Sequence, residues 1–225
     1  MSSVLSIFPN DTRPRYIPFP SNPNQKYFVK RAILISIAGT EFDCVLSVNE
    51  AILVRKAAYR YANVTVNGNK PQKLNVLFLV REGNTRQILN EKDFINAVTN
   101  NTQITLEKTS FLNSKFGDQV RKMSTTDIIV SVHGAGLVNV IFMVPYSGLL
   151  EIFAKDFYVE FYYNIAVKSR VFYDTSRNNK SVFQRNFSRI TYKQRRDSNL
   201  IIQITETVGK LEKLEKLVWA YKYYE

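Results

Sequence analysis

From Lys73 onward the chain alternates short apolar runs of strand length with segments whose apolar residues recur at helical spacing, over about a hundred residues. Residues 74–80 are apolar except for Asn75, and residues 127–132 are apolar from Ile128 onward except for Ser131. A strand that does not alternate is covered on both faces, as in a parallel sheet. Further strands are expected at 102–106, 149–153 and 171–173. Between them, Phe94, Ala97 and Val98 mark one helix, and Phe116, Val120 and Met123 another. A mostly apolar helix over 137–143, stopped by Pro145, and a helix over 157–167 complete the pattern. Asn90 stands where it can cap the first of these helices, with Glu91 and Asp93 in its first turn. This order predicts an α/β fold with right-handed crossovers and a parallel sheet. Such sheets bind ligands at the carboxyl ends of their strands.

The flanks are less regular. Residues 9–26 hold five of the seven prolines and read as an extended lead-in. Residues 31–37 fit a buried strand, and residues 47–62 a helix with Ala51, Val54, Ala58 and Tyr61 on one face. We therefore divide the chain into an N-terminal portion, 1–72, and a domain, 73–225. Residues 175–197 are polar and basic and read as a loop. Residues 200–221 form an amphipathic closing helix, with Leu211, Leu214, Val218 and Tyr221 as its inner stripe and a Glu212–Lys216 pair outside.

Composition narrows the chemistry. The chain has one cysteine, Cys44, and one histidine, His133, which excludes an internal disulfide and any multi-cysteine or multi-histidine metal site. Net charge is +12, from 31 basic and 19 acidic residues. That balance suits nucleic acid, an anionic membrane or a phosphorylated small ligand. The charges are dispersed, and the densest cluster, Lys193-Gln194-Arg195-Arg196, reads as a solvated surface. No aromatic and basic residues interleave as in RNA-recognition motifs, so no nucleic acid partner is expected. No apolar stretch is long enough to span a bilayer. Met1 to Arg13 lacks the basic lead of a signal peptide. Asn10, Asn63, Asn100, Asn179 and Asn186 begin Asn-x-Ser/Thr sequons, which permit a secretory location.

The segment Ser131-Val132-His133-Gly134-Ala135-Gly136-Leu137 falls where a buried strand ends and a helix begins. Two glycines allow a close backbone approach to a ligand, and a helix N-terminus offers N–H groups to a phosphate. His133 can donate to a phosphate or sugar oxygen. The plainer reading is a tight strand–helix connection with a structural histidine. Arg81 and Arg86 lie in the loop after the first strand, on the same sheet edge. They can grip a diphosphate through bidentate hydrogen bonds, or close a helix start and meet a surface carboxylate. Glu151, inside the apolar run 149–153, can accept from ribose hydroxyls, or can pair with a lysine on an exposed face.

These residues carry a resemblance. Asn84-Thr85-Arg86-Gln87-Ile88-Leu89-Asn90-Glu91 resembles a segment of glycosyltransferase family 61 that follows the pattern R-x-I-L-N-E/Q. Gln119-Val120, residues 127–137, Asn139, Phe142-Met143, Pro145 and Leu150-Glu151-Ile152-Phe153 resemble that family's central signature, in order and spacing. The likeness runs from Leu74 to Tyr173 and is nearest the family's EGF-domain and O-mannose N-acetylglucosaminyltransferase branches. It implies a GT-B fold of two Rossmann-like halves, with this chain supplying the C-terminal donor half behind a short N-terminal portion. It also implies inverting transfer from a UDP-sugar, with N-acetylglucosamine expected, to a glycoprotein or glycan in the endoplasmic reticulum or Golgi lumen. Arg86 and the His133, Gly134, Ala135, Gly136 turn become donor contacts, beside Arg81 and Glu151. Arg86 then stabilises the departing UDP where other glycosyltransferases use a metal, so no metal or other cofactor is expected. The resemblance assigns no catalytic base here, and Glu41, Asp43 and Glu50 read as ordinary surface or cap acids. Family members are longer, so a non-catalytic or truncated UDP-sugar-binding relative stands as the alternative.

Overall fold

The computed structural model of the chain describes residues 47–66, 70–100, 104–183 and 190–223. The expected strand at 31–37, the proline-rich lead-in and Cys44 lie outside them. The elements run α1 (Val48–Ala62), β1 (Leu74–Leu79), α2 (Glu91–Thr99), β2 (Ile104–Thr109), α3 (Phe116–Thr125), β3 (Ile128–Val132), a 3-10 helix (Ala135–Phe142), β4 (Gly148–Ala154), α4 (Phe161–Lys168), β5 (Phe172–Val182), α5 (Tyr192–Asp197), β6 (Asn199–Ile201) and α6 (Ile204–Lys222).

The strands form one sheet in the order β2-β1-β3-β4-β5-β6. The first five positions pair in parallel, while β6 runs antiparallel to β5, so the sheet is mixed rather than wholly parallel. Every residue of β3 and β4 is buried, as the unbroken apolar runs require. Successive side chains serve opposite layers. Leu74, Val76 and Phe78 of β1 join Phe94 and Val98 of α2 and Leu211, Leu214 and Val218 of α6 on one face. Leu77, Leu79 and Ile129 join α1, α3, the 3-10 helix and α4 on the other.

Helix α1, which the sequence places ahead of residue 73, is part of this second layer. It starts on a capping box between Ser47 and Glu50. Its buried Arg55 donates from Nε to Ile141 O (2.9 Å) and from Nη2 to Ser169 O (2.7 Å), and Tyr59 donates to Phe142 O (2.7 Å). These carbonyls end the 3-10 helix and cap α4, where free oxygens and the negative end of the helix dipole favour a cation. Burial pushes the Tyr59 hydroxyl up to about 12, so it stays a donor. Tyr61, expected on the inner face, is largely exposed and rests on Phe116.

Residues 175–197 are not a loop. β5 continues to Val182, α5 follows, and β6 pairs with its end, while residues 184–189 lie outside the described set. The strand escaped detection because hydrogen bonds, not apolar burial, hold it. Asn179 is fully buried at the irregularity between Ile152 and Ala154, donates to Phe153 O (2.8 Å) and accepts from Gln203 N (3.0 Å). Ser176 and Thr207 share a hydrogen bond of 2.9 Å beside it. The sequon at Asn179 is therefore closed in the folded protein, whereas Asn63 and Asn100 are exposed and Asn10 and Asn186 fall outside the described residues.

Two further expectations shift. Asn90 is the N-cap residue of α2, but its side chain turns to the backbone of Ile202, donating to O (3.0 Å) and accepting from N (2.8 Å). The inner stripe of α6 ends at Val218, and Tyr221 packs its exposed ring against Phe172. Beyond Val218 the helix is fixed by Asp127, a buried residue just ahead of β3. Its carboxylate accepts from Lys222 Nζ (2.6 Å), Tyr223 OH (2.5 Å) and Asn75 N (2.8 Å). Asp127→Ala leaves the Lys222 ammonium buried without its counter-ion and is expected to cost about 3 kcal/mol, measured as a lower denaturant midpoint with an unchanged slope.

Candidate functional site

The chain passes from β1 outward to β2, then returns across β1 to β3. Loops leaving β1 and β3 therefore diverge, and the crevice at their carboxyl ends is the expected ligand position of an open α/β sheet. Two clefts meet there. One, of about 820 Å³, is polar and runs past Arg81, Arg86, Gln87, Asn90, Lys92 and Lys108. The other, of about 650 Å³, is lined largely by Val54, Phe111, Phe116, Val138 and Phe142, with Gly134, Ala135 and Gly136 at its rim. Arg81, Leu79, Val80, Glu82 and Val132 border both.

The glycines work by close approach. Gly134 is extended (φ 172°), and a Cβ there would stand 2.7 Å from Nη1 of Arg81. A Cβ on Gly136 would stand 2.9 Å from Leu79 Cδ2. The helix after them is 3-10 rather than α: Leu137 N donates to Gly134 O (3.0 Å). Asn139, buried within it, donates to Gly136 O and to Gln119 Oε1, both at 3.0 Å, and so fastens the turn to α3.

Arg86 has a left-handed backbone (φ 60°), an energetic cost of about 1 kcal/mol or more for a side-chain-bearing residue. Its loop is held to β6: Gln87 N donates to Asn199 Oδ1 (3.0 Å), Leu89 N to Leu200 O (2.8 Å) and Leu200 N to Gln87 O (2.9 Å). The Arg86 guanidinium donates to His133 O (3.2 Å) and lies 3.6 Å from Asp197, which Arg196 already grips through two bonds of 3.0 Å. Burial, then the neighbouring Arg81, lowers the Arg86 pKa from its ordinary value. The Nε groups of both Arg81 and Arg86 are buried with no hydrogen-bond partner among the described residues. Each such donor costs about 1–3 kcal/mol until an acceptor arrives.

His133 and Glu151 occupy a layer beneath. His133 Nδ1 is 2.6 Å from Glu151 Oε1, and Tyr173 OH donates to Oε2 (2.8 Å). The imidazole stacks on Phe153 at 5.3 Å and touches Phe157 and Tyr162. Glu151 is fully buried, with both oxygens engaged inside the protein. Its place is thus behind His133 rather than on the cleft wall, where a ribose contact was expected. Sequence reading missed Tyr173, Tyr162 and Asp197, whose spacing carries no local signal.

Two of the three basic residues in the cluster 193–196 are paired, since Arg195 meets Asp156 at 3.0 Å and Arg196 meets Asp197. Among the described residues no group of three His, Cys, Asp or Glu side chains is placed to hold a metal, and no helix is long and apolar enough to cross a membrane.

The family model named Glycosyltransferase 61 matches residues 8–150. The chain belongs to that family. It is 30% identical over 124 residues to the EGF domain-specific O-linked N-acetylglucosamine transferase of Canis lupus familiaris, covering 54% of this chain and 23% of that protein. The Drosophila melanogaster protein of the same name is 28% identical over 82 residues, 36% of this chain and 16% of the relative. The protein O-linked-mannose beta-1,4-N-acetylglucosaminyltransferase 2 of Xenopus laevis is 28% identical over 124 residues, 55% of this chain and 21% of the relative. The matched stretch thus spans less than a quarter of each relative.

Gly134→Ala is expected to displace the Arg81 guanidinium while leaving the fold intact. Inorganic pyrophosphate should then bind about tenfold more weakly by calorimetry, with a stability change within about 1 kcal/mol.

Proposed function

We propose that this chain is the donor-binding half of a GT-B glycosyltransferase. It transfers a sugar, N-acetylglucosamine in our reading, from a UDP-sugar to a glycoprotein or glycan acceptor with inversion. The observation that carries this is the pair of buried, unpartnered Nε donors on Arg81 and Arg86 at the strand-order reversal. Two cationic donors on one crevice fit the two phosphates of a nucleoside diphosphate, and bidentate guanidinium contacts suit that geometry. The strand order and its crevice support a Rossmann-like nucleotide half. Family membership and the names of the relatives support the reaction class, the acceptor class and the donor sugar.

In the transfer itself, negative charge grows on the departing UDP. Arginine donors fixed in a partly buried site stabilise that charge without rearranging. Arg86 is fixed by its loop's bonds to β6, and Arg81 by its seat over Gly134. This reading requires no metal and places the reaction in the endoplasmic reticulum or Golgi lumen, where proteins of these acceptor classes are glycosylated. The base that activates the acceptor hydroxyl is left unassigned.

Saturating UDP is expected to raise the thermal midpoint, since a hundredfold excess over Kd adds about 2.7 kcal/mol. An absent shift together with no calorimetric heat overturns the donor site. Arg81→Ala removes a buried Nε that has no hydrogen-bond partner among the described residues, so the midpoint of the free protein should not fall, yet UDP binding should weaken about tenfold or more. Transfer is tested by UDP release with acceptor in excess EDTA. Release that persists supports arginine in place of a metal. Binding without release, with or without EDTA, supports the alternative of a chain that binds the UDP-sugar but does not turn it over by itself.

A further inference from the structure

The donor-site reading gives work to the cleft edge but not to the layer under it. Glu151 is a carboxylate with no exposed surface, in a strand whose seven residues are all buried. An isolated charge there costs several kcal/mol, so the group must keep either a proton or a counter-charge. Its Oε2 is occupied by the Tyr173 hydroxyl, which leaves Oε1 and the 2.6 Å contact to His133 Nδ1 as the place where that proton sits. Nε2 has no hydrogen bond among the described residues, and the side chain keeps 14% of its surface exposed.

We propose that His133 and Glu151 hold two protons between them at neutral pH, one shared by Nδ1 and Oε1 and one on Nε2. The imidazole then offers an N–H donor from its remaining exposed edge, next to the Gly134–Gly136 turn, and Glu151 and Tyr173 are positioning residues that act through it. This rests on the donor-site reading for the ligand, though the protonation of the pair stands apart from it. With two protons the pair is neutral overall. Losing one would leave a net negative charge in the apolar layer of Phe153, Phe157 and Tyr162. Coupled groups of this kind titrate as a unit. Burial pushes the Glu151 carboxyl up, against the His133 hydrogen bond, which agrees with a retained proton. The charged and titratable groups facing the pair are Arg81 and Arg86 from the loop after β1, Tyr158 and Tyr162 around the start of α4, and Tyr173 and Arg177 on β5. Tyr162 is pushed up to about 12 by burial and by Glu151, and so remains a neutral donor.

His133 is the only histidine, so the imidazole nitrogen NMR signals of the whole chain belong to this site. In the ligand-free protein Nε2 is expected to carry a proton at neutral pH, read directly from its nitrogen signal. An unprotonated Nε2 at neutral pH overturns the proposal. The double variant Glu151→Leu with Tyr173→Phe removes the carboxylate and its second partner together and leaves His133 Nδ1 without its acceptor, while Tyr173→Phe alone keeps the pair. UDP affinity of the double variant should fall about tenfold as pH rises through about 6.5, relative to the native protein and to Tyr173→Phe. UDP's own titration is common to all three proteins. Parallel pH profiles for all three overturn the proposal, and a lowered thermal midpoint by itself would mark a merely structural role and also count against it. If native protein binds no UDP, the donor reading fails, while the NMR signals still decide the protonation of the pair.

Discussion

The reversal of strand order at β1 and β3 governs the rest of the molecule. Because crossovers keep one hand, changing direction sends α2 to one face of the sheet and α3 to the other. The loops after β1 and β3 are then drawn apart at their carboxyl ends, and a crevice opens between them among the described residues. Arg81 and Arg86 enter it from one side and the Gly134–Gly136 turn from the other. Glycine is required at position 134 because a guanidinium, not a turn, lies where a side chain would be.

A crevice alone would not hold two arginines in place. That depends on the far end of the domain. β5 outruns its pairing with β4, β6 adds to its overhang, and the segment after Arg86 bonds to β6. Asn90 repeats the connection one turn later through Ile202. These bonds join residues more than a hundred positions apart, and they offset the left-handed backbone at Arg86. The buried polar groups that make the overhang possible, Ser176, Asn179 and Thr207, are satisfied by one another and by the backbone of Phe153 and Gln203. Beneath the crevice, Glu151 is tolerated in a wholly buried strand for the same reason, with His133 and Tyr173 as its partners.

The family relation reaches only part of each matched relative. Its matched relatives are several times the length of the shared stretch. The two arginines and the glycine turn that border the crevice all lie within residues 74–154.

How much was legible in sequence follows from which forces have a local pattern. The unbroken apolar runs at β1, β3 and β4, the helical spacing of Phe94 with Val98 and of Phe116, Val120 and Met123, and the glycines after β3 determined an α/β sheet with a glycine turn on its carboxyl edge. Apolar burial writes itself into sequence period, so these features could be read directly. The loop positions of Arg81, Arg86 and His133 were legible too, because standing just after a strand is a local property. The tertiary structure alone decided that β5 extends into a polar stretch, that β6 turns the sheet mixed, that Asn90 holds Ile202, and that Glu151 stands behind His133 instead of facing a ligand. Each of these rests on hydrogen bonds between residues distant in the chain, and such pairings leave no periodic trace. Their energy exists only once the sheet has brought the partners together.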